Sequence, residues 1–346
     1  MHLGNEASIS GGRREPATIA HLLRPMTEGT HLPDEITAIA VFRSHFSDSI
    51  SSVTRFPTGL CHHVYEIRTE TGQAYVVRIA SAATRRNLQG GLYWHPRLKA
   101  AGVPVPGLYA SSLGDPFSYM LLERLPGADL GQVYFGLSAS AKQVLAGRMA
   151  AIQRAVGVLP MAHRFGFAYS YEHADAAGKR SWADVVAGDI ARSEERIRRL
   201  GRIALSHVER VRAALVDYES YLQHVKPVPF LDDTTTKNVI VDRGTLSGIV
   251  DTDVVCFGDP IFTLGLTNTA LLSMGADTDY IEFWLDAMGA NREQRVMVVV
   301  YSLVFCLNFL GELGQIFNQP VEYSEARAEM LRGIFERLVD TLPKVE

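Results

Sequence analysis

The chain has 346 residues, of which 47% are hydrophobic and 21% charged, and this predicts a globular protein of two domains or one large bilobal unit. Its formal net charge of -4 argues against a nucleic-acid binder, which usually carries a basic stripe. The cysteines, Cys61, Cys256 and Cys306, are odd in number and far apart, which argues against a disulfide framework and a zinc site. A reducing, cytoplasmic location is expected.

The chain shows no pattern typical of export or membrane insertion. Residues 1–32 are expected to form a flexible arm, and the segment from Met1 to Pro16 lacks the apolar core of a signal peptide. The longest mainly apolar run, Val296 to Leu307, is too short to span a bilayer and predicts a buried core helix. Arginines between residues 192 and 202 are interleaved with acidic residues, which predicts a solvated helix face. We therefore expect neither a membrane nor a nucleic acid as a partner.

The first 125 residues alternate strands with helices. An amphipathic helix is predicted from Pro33 to about Phe46, and a further helix covers Ala83 to Ala101 before the Gly/Pro-rich break at residues 102–106. A last apolar strand runs from Phe117 to Arg124. The remaining predicted strands are Val53 to Phe56, Val64 to Thr69 and Ala74 to Ala80.

The rest of the chain is predicted to be mostly helical. One helix covers Ser138 to Val156, and Ser181-Trp182-Ala183-Asp184 indicates a helix start with a capping box. A single helix is predicted from the apolar spacing between Val208 and Leu222. Later helices are expected at about Thr263 to Met274, Asp277 to Ala287, Arg292 to Phe317 and Tyr323 to Leu342.

The most informative stretch runs from Phe230 to Val241. Asp233 lies five residues before Asn238, an apolar strand follows, and Asp242-Arg243-Gly244 indicates a hairpin turn. Because a hairpin returns the chain to its starting edge, Asn238 and Asp251 are expected side by side. One carboxylate that orients an attacking hydroxyl, with an amide and a second carboxylate for Mg²⁺, is typical of kinase-type phosphotransfer. The alternative, an ordinary surface hairpin with Asx turns, is less favoured because Asp251 is in register.

These residues make the chain similar to a known family. It resembles the aminoglycoside phosphotransferase and choline-kinase-like branch of the protein-kinase-like fold, from about residue 36 to 340. The resemblance implies an α+β, bilobal fold, with a small β-rich nucleotide-binding lobe at 33–125 and a larger helical lobe at 126–346 that holds the catalytic hairpin and substrate site. The segments that match are residues 64–67, 75–79, 101–106, 120–127, 181–182, 233–238 and 258–260, with Gly59 and Asp251.

The resemblance also implies roles for single residues in phosphoryl transfer. Asp233 would accept or orient the substrate hydroxyl, and Asn238 and Asp251 would bind Mg²⁺. Arg78 would take the third-strand position where kinases usually place a lysine on the α- and β-phosphates of ATP, a task that suits a guanidinium. Lys237, four residues after Asp233, is additional to the family pattern: its amine would touch the γ-phosphate or, equally, be a solvated loop lysine.

The remaining implied nucleotide contacts lie in the first lobe. Gly59 would belong to the nucleotide loop. The backbone of Glu123, Arg124 and Leu125 would form the hinge that hydrogen-bonds adenine.

Several positions depart from the family pattern. The usual His-Gly-Asp is Leu231-Asp232-Asp233 here, and the helix acid expected near Gly90 or Gly91 is missing, with Gln89 the nearest polar substitute. Thr263 stands where the family often has an aspartate, and His62 and His63 occupy the nucleotide loop, where metal binding is disfavoured for want of a third ligand. The threonines at 234–236 are expected to bond the backbone of their own loop. The aromatic residues Tyr93, Trp94 and Trp284 are expected in the core.

The leading hypothesis is an ATP- and Mg²⁺-dependent phosphotransferase that acts on a hydroxyl of a small molecule, namely an aminoglycoside-like, sugar or amino-alcohol substrate. The alternative is a catalytically impaired pseudokinase that binds a nucleotide or ligand. Transfer to a protein hydroxyl is disfavoured because the segment after Asp251 is too short for a long activation loop. A monomer is the default. Candidate acids for a rim that would bind a polycation are Glu282, Asp286, Glu312, Glu322, Glu325 and Glu329.

Overall fold

The computed structural model describes residues 32–57, 61–114, 117–316 and 321–343. The predicted arm, except Leu32, and the nucleotide-loop Gly59 therefore lie outside the described residues. The chain divides into two compact units: the described residues up to Leu88 with Gly107–Arg124, and Gln89–Pro106 with the described residues from Leu125 onward. The sequence-based division, which put all of residues 33–125 in the first lobe, stays a prediction.

The first unit is built on a five-stranded antiparallel sheet. Its strands are β1 Ile50–Arg55, β2 His63–Thr69, β3 Ala74–Ala80, β4 Leu108–Ser112 and β5 Ser118–Glu123, in the order β1-β2-β3-β5-β4. Helix α1, Glu35–Arg43, begins at Asp34, whose carboxylate accepts a hydrogen bond from the Thr37 N–H at 2.9 Å. Alternating residues of the central strands, such as Ile67 and Val77, join Phe42 of α1 in a buried core.

Helix α2, Arg85–Ala100, connects β3 to β4, and the boundary between the two units falls after its residue Leu88. The later α-helices all belong to the second unit: α3 Leu130–Val133, α4 Ala139–Val156, α5 Tyr171–Ala177, α6 Trp182–Leu200, α7 Ser206–Val216, α8 Glu219–His224, α9 Phe262–Ser273, α10 Asp279–Met288, α11 Arg292–Glu312 and α12 Glu325–Thr341. A β-rich first unit and a mainly helical second unit confirm the predicted α+β class.

Two small sheets interrupt the helices of the second unit. One has the order β10-β9-β6, with β6 Ala128–Asp129, β9 Val239–Asp242 and β10 Thr245–Ile249. The other has the order β7-β11-β8, with β7 Gly166–Ala168, β8 Val228–Phe230 and β11 Val255–Gly258. The predicted hairpin turn between β9 and β10 is confirmed: Arg243 and Gly244 both have positive φ, 48° and 78°, as a type I′ turn requires.

Helix α11 runs through the core of the second unit. It is long and apolar enough to cross a membrane, but 67% of its most apolar window is buried inside the fold, so it is the core helix that the sequence predicted. Trp94 and Trp284 are fully buried in the same core, and Tyr93 packs against it, which confirms their predicted structural role.

A buried hydrogen-bond network joins three helices to the end of β11. Asp259 accepts hydrogen bonds from the hydroxyls of Tyr221 on α8 and Tyr301 on α11, both at 2.8 Å. The Tyr301 hydroxyl in turn accepts one from Nε1 of Trp182 at 2.8 Å. A Cβ at Gly258 would lie 2.1 Å from the Trp182 ring, so only glycine lets the indole pack against this strand.

Several element bounds differ from the predictions. The single helix expected between Val208 and Leu222 is two helices, α7 and α8, because the chain breaks at Asp217 and Tyr218. Helix α11 ends at Glu312, five residues before its predicted end. The short strands β4, β6, β7, β8 and β11 have no counterpart in the predictions, since strands of two to five residues carry little periodicity.

Candidate active site

The candidate catalytic loop begins where β8 ends, and a buried glutamine holds its first residue. Nε2 of Gln153, on α4, donates to the Leu231 carbonyl at 2.8 Å, and its Oε1 accepts from the Leu231 N–H at 3.0 Å. Gln153 is 4% exposed. One buried side-chain amide therefore satisfies both the N–H and the carbonyl of Leu231. These two hydrogen bonds hold the backbone just before Asp232 and Asp233.

Asp233 lies at the surface of this loop, and two neighbouring side chains orient it. The Thr235 hydroxyl donates to Oδ1 of Asp233 at 2.7 Å, which leaves Oδ2 facing away from that bond. Nδ2 of Asn238 donates to the Asp233 carbonyl at 3.0 Å, and the Asn238 N–H donates to the Thr235 carbonyl at 3.0 Å. The loop is therefore a closed turn with Asp233 and Asn238 at its two ends.

The β9–β10 hairpin brings Asp251 next to Asn238. Ile249 pairs with Val239, and the Val250 N–H donates to the Asn238 carbonyl at 2.9 Å. Asp251 follows with φ of 60°, a left-handed conformation that Asp tolerates better than most residues do. The structure thus brings together Asp233, Asn238 and Asp251 as the sequence motif predicts; their catalytic and metal-binding roles stay predictions.

The threonines of the loop make side-chain contacts instead of the backbone bonds that were expected. Thr234 is fully buried, and its hydroxyl lies 2.8 Å from that of Thr263 at the start of α9. The Thr267 hydroxyl donates to the Thr263 carbonyl at 2.9 Å and approaches the Thr234 carbonyl at 3.4 Å. Thr263, where the resemblance leads one to expect an aspartate, therefore ties the loop to α9 through a neutral hydroxyl pair.

Asp232 lies next to Asp233 in the loop, and its carboxyl feels the charges of Asp233 and Asp251. Burial, with the negative charges of Asp233 and Asp251, raises the pKa of Asp232 to about 8. Burial raises the pKa of the Cys256 thiol of β11, and the Asp232 carboxylate contributes to this rise. The raised pKa of Asp232 favours the protonated form of its carboxyl at neutral pH, and Asp233 is the exposed residue of the pair.

Lys237 is exposed on the loop, and its charge acts on Glu312 at the end of α11. Burial raises the pKa of the Glu312 carboxyl, and the negative charge of Asp233 adds to this effect. Three cations oppose it, namely Arg196, Lys237 and Arg327. The charges of Asp233 and Lys237, both on the candidate catalytic loop, therefore act on Glu312 at the end of α11.

Helix α2 approaches the segment after Asp251 closely at Gly90. A Cβ at Gly90 would lie 2.2 Å from the Asp253 carbonyl oxygen and 2.7 Å from Cδ1 of Tyr169. The helix acid that the resemblance leads one to expect therefore has no room at this position. Asp253, two residues after Asp251, is itself buried.

The first unit holds the other predicted nucleotide contacts. Arg78 is buried on β3, opposite Val64 and Met120 in the sheet. The Glu123 N–H donates to the Gly107 carbonyl at 2.8 Å, and its carboxylate accepts from the Gly107 N–H at 2.9 Å, so these groups of the predicted hinge are already engaged. Nε of Arg124 lies 2.7 Å from Oε2 of Glu66. Leu125, the first residue of the second unit along this connection, is buried.

The residues at the loop fit the magnesium ion that the motif implies. The Asn238 amide nitrogen is occupied by the Asp233 carbonyl, which orients Oδ1 as an available acceptor. Asp251 supplies a carboxylate close to it, and Mg²⁺ usually takes only one or two such protein ligands. Within the described ranges, no group of three or more His, Cys, Asp or Glu side chains could hold a metal ion, and His62 and His63 are both buried.

The sequence did not predict the structural role of Gln153 or the raised pKa of Asp232. Gln153 lies 78 residues from Leu231 in the chain, and nothing local to its helix marks it. Asp232 was visible only as a departure from His-Gly-Asp, and its protonation depends on burial that a sequence does not show. Glu312 was a candidate for a polycation rim, and its cationic neighbours come from three separate elements.

A five-stranded antiparallel sheet in one unit and this catalytic loop in a helical second unit define the class of kinase-like phosphotransferases that act on hydroxyl groups. A family model described as the phosphotransferase enzyme family (APH) matches residues 52–296. The chain therefore belongs to the phosphotransferase enzyme family, as the resemblance indicated. No curated protein matches the sequence.

Solved structures of aminoglycoside phosphotransferases share the fold. The GDP complex of a point mutant of aminoglycoside 2′-phosphotransferase-IIIa has a TM-score of 0.63 at 17% identity, covering 89% of this chain and 98% of that one. A thermostable mutant of APH(4)-Ia in its apo form has a TM-score of 0.62 at 16% identity, covering 85% and 95%. The streptomycin-ATP complex of APH(2″)-IIa has a TM-score of 0.56 at 14% identity, covering 85% and 92%. At these identities the likeness establishes the fold.

Proposed function

We propose that the protein transfers a phosphoryl group from Mg·ATP to a hydroxyl of a small molecule of the aminoglycoside-like, sugar or amino-alcohol class. The observation that carries this proposal is the closed turn in which Thr235 orients the Asp233 carboxylate and Asn238 fixes the Asp233 backbone, with Asp251 delivered beside it by the hairpin. Phosphoryl transfer depends on such positioning and on charge neutralisation.

The reaction assigns a role to each oxygen of Asp233. The acceptor hydroxyl hydrogen-bonds to Oδ2, since Oδ1 already accepts from Thr235. The acceptor oxygen bonds to the γ-phosphorus of ATP while the bond to the oxygen bridging the β- and γ-phosphates breaks. The hydroxyl proton passes to Asp233 and then to solvent, which leaves ADP and the phosphorylated acceptor. The ammonium of Lys237, four residues on, would attract the transferred phosphoryl group.

Asn238 Oδ1 and the Asp251 carboxylate would hold Mg²⁺, and no other residue is assigned to it. When bound, the ion neutralises charge on the phosphates of the nucleotide. Arg78 would bind the α- and β-phosphates, Gly59 would belong to the phosphate loop, and the backbone from Glu123 to Leu125 would bind the base. Nucleotide use is in keeping with structures that share this fold, which were solved with ADP and hygromycin B or with ATP and streptomycin.

Thermal unfolding measured with Mg²⁺ alone, Mg·ATP and Mg·GTP tests the nucleotide part of the proposal. Binding to the native state raises the midpoint by linkage, so we expect a nucleotide-dependent rise that EDTA abolishes. ADP release with a panel of hydroxylated acceptors then tests transfer. No shift at millimolar nucleotide would contradict the proposal.

One observation favours a second candidate, a pseudokinase that binds ligands without turnover. The close approach of Gly90 to the Asp253 carbonyl leaves no side chain at the position of the usual helix acid, which in kinases pairs with the third-strand cation. A nucleotide-dependent midpoint shift without ADP release across the whole acceptor panel would favour this candidate.

A further inference from the structure

The candidate catalytic loop has a buried side and an exposed side. Thr234 and Thr236 are buried, whereas Asp233 and Lys237 are exposed. The residues that contact the buried threonines therefore set the backbone from which Asp233 projects, and they do so without occupying the exposed side of the loop.

Helix α9 makes these contacts through one of its faces. The hydroxyl of Thr263 lies 2.8 Å from that of Thr234, and the hydroxyl of Thr267 donates to the Thr263 carbonyl at 2.9 Å and lies 3.4 Å from the Thr234 carbonyl. Just after the end of α9, Sδ of Met274 lies 3.8 Å from the Thr236 hydroxyl. Residue 267 comes four positions after residue 263, and residue 274 comes seven after that, a spacing that keeps all three on one side of a helix.

The contacts of Thr234 with α9 are inaccessible to solvent. Thr234, Thr263 and Thr267 are all fully buried, so the loss of one partner would leave another polar group unsatisfied inside the protein. Both the hydroxyl and the carbonyl of Thr234 contact α9. Because Thr234 directly follows Asp233 in the chain, a displacement of Thr234 also displaces the Asp233 backbone.

The backbone on the other side of Asp233 is held by a different helix. Gln153 of α4 binds Leu231 through two hydrogen bonds, of 2.8 and 3.0 Å. Asp233 thus lies between two buried attachments, to α4 at Leu231 and to α9 at Thr234. A displacement of about 1 Å can lower a rate by about 10²-fold, so attachments this close to the carboxylate matter for turnover.

We propose that Thr263 and Thr267 are positioning residues for Asp233, which act through Thr234 and bind neither the nucleotide nor Mg²⁺. Their hydroxyls are neutral, so they hold the loop without adding a further negative charge near Asp232 and Asp233. The effect on catalysis rests on the proposed function, whereas the attachment of the loop to α9 does not.

Hydrogen exchange measured by mass spectrometry tests the attachment. Thr263→Val removes the hydroxyl at nearly constant volume, and the amides of residues 231–238 should then exchange about tenfold faster or more. Thr263→Ser keeps the hydroxyl and should stay close to the wild type. The control is Thr269→Val on the same helix, which removes an equally buried hydroxyl that donates to the Gly265 and Ser302 carbonyls at 2.9 and 3.0 Å. It should leave the exchange of residues 231–238 unchanged.

Steady-state ADP release tests the positioning role. Thr263→Val should lower kcat about tenfold or more while the KM for ATP changes little, because the displaced group acts on the acceptor hydroxyl. Thr263→Ser and Thr269→Val should keep most of the wild-type kcat. In the Asp233→Asn background, Thr263→Val should lower kcat no further, since it acts through a carboxylate that is no longer there. A purely structural role would lower kcat equally in both backgrounds.

Thr267→Val carries the same measurements if Thr263→Val does not fold. Unchanged exchange of residues 231–238, equal acceleration by Thr269→Val, or an equal loss of kcat in the wild-type and Asp233→Asn backgrounds would each overturn the proposal.

The two readouts separate this proposal from the proposed function. A wild-type protein without turnover on any acceptor would contradict phosphotransfer, and the exchange data would still decide whether α9 holds the loop. Wild-type turnover, with exchange and kcat both unchanged in Thr263→Val, would contradict the positioning role and leave phosphotransfer standing.

Discussion

The side-chain amide of Gln153 binds the backbone of Leu231 twice: its Nε2 donates to the Leu231 carbonyl at 2.8 Å, and its Oε1 accepts from the Leu231 N–H at 3.0 Å. Both residues are buried, so removing the amide would leave these two backbone groups without their protein partners. Leu231 lies two residues before Asp233, where β8 ends and the candidate catalytic loop begins. The start of the candidate catalytic loop is therefore held by α4, a helix some 78 residues earlier in the chain.

Gln153→Ala should lower the free energy of unfolding by about 2–5 kcal/mol, because the buried N–H and carbonyl of Leu231 both lose their partners. We expect kcat for ADP release to fall more than tenfold as Asp233 loses its fixed position. Urea unfolding and steady-state kinetics measure the two effects. Gln143→Ala, at an exposed position of the same helix, is the control and should change neither. A stable, fully active Gln153→Ala protein would show that these two hydrogen bonds do not hold the loop.

Asp233→Asn should reduce kcat by roughly 10²- to 10⁴-fold, the usual contribution of a positioned acid or base, with little change in stability because the side chain is exposed. The nucleotide-induced midpoint shift should remain, since Asp233 is not assigned to the nucleotide. Asp217→Asn, at an exposed helix end, serves as the control. Near wild-type turnover by Asp233→Asn would show that another group orients the hydroxyl.

Local patterns in the sequence were enough to predict the main elements and the catalytic segment. The helix predicted from Ser138 to Val156 is present, Ser181 caps α6 through the predicted capping box, and Arg243-Gly244 forms the turn that sets the register of Asp251. These features depend on neighbours within a few residues, where sequence spacing directly constrains geometry.

The remaining features depend on contacts between distant parts of the chain. Strands β8 and β11 have three and four residues, and they exist because they pair with each other across some 25 residues of sequence. The absence of a helix acid near Gly90 was visible in the sequence, but its cause, the nearby Asp253 carbonyl, was not. The cations around Glu312 come from α6, the catalytic loop and α12, and only the folded chain brings them together.

The two helical glycines Gly90 and Gly147 should respond in opposite directions to alanine. A Cβ at Gly90 would lie 2.2 Å from a backbone oxygen, whereas one at Gly147 meets nothing within 4 Å. Gly147→Ala should stabilise the protein by up to about 1 kcal/mol through helix propensity. Gly90→Ala should destabilise it by about 1–3 kcal/mol, because α2 must shift away from Asp253. Urea unfolding of both variants checks this, and equal stabilisation would mean that α2 is not packed as described.

Stability should depend on pH through Asp232. Burial and the charges of Asp233 and Asp251 raise its pKa to about 8, while an unfolded aspartate titrates near 3.9. The native state therefore holds an extra proton between about pH 4 and pH 8, and stability falls as pH rises through this window. Asp232→Asn is neutral throughout, so its stability should fall less. Urea unfolding in EDTA, from pH 5 to pH 9, compares the two proteins, and parallel profiles would rule out Asp232 as the source.

The two tyrosines that donate to Asp259, Tyr221 and Tyr301, should contribute unequally to the free energy of unfolding. Tyr221→Phe removes one hydrogen bond to the buried carboxyl, and we expect a loss of about 1–3 kcal/mol. Tyr301→Phe removes the second donor and also leaves Nε1 of Trp182 without its acceptor, so its loss should be larger by about 1–2 kcal/mol. Denaturant unfolding of both variants, with Tyr109→Phe at a half-exposed position as control, measures the difference. Equal losses would show that the indole finds another partner when the Tyr301 hydroxyl is absent.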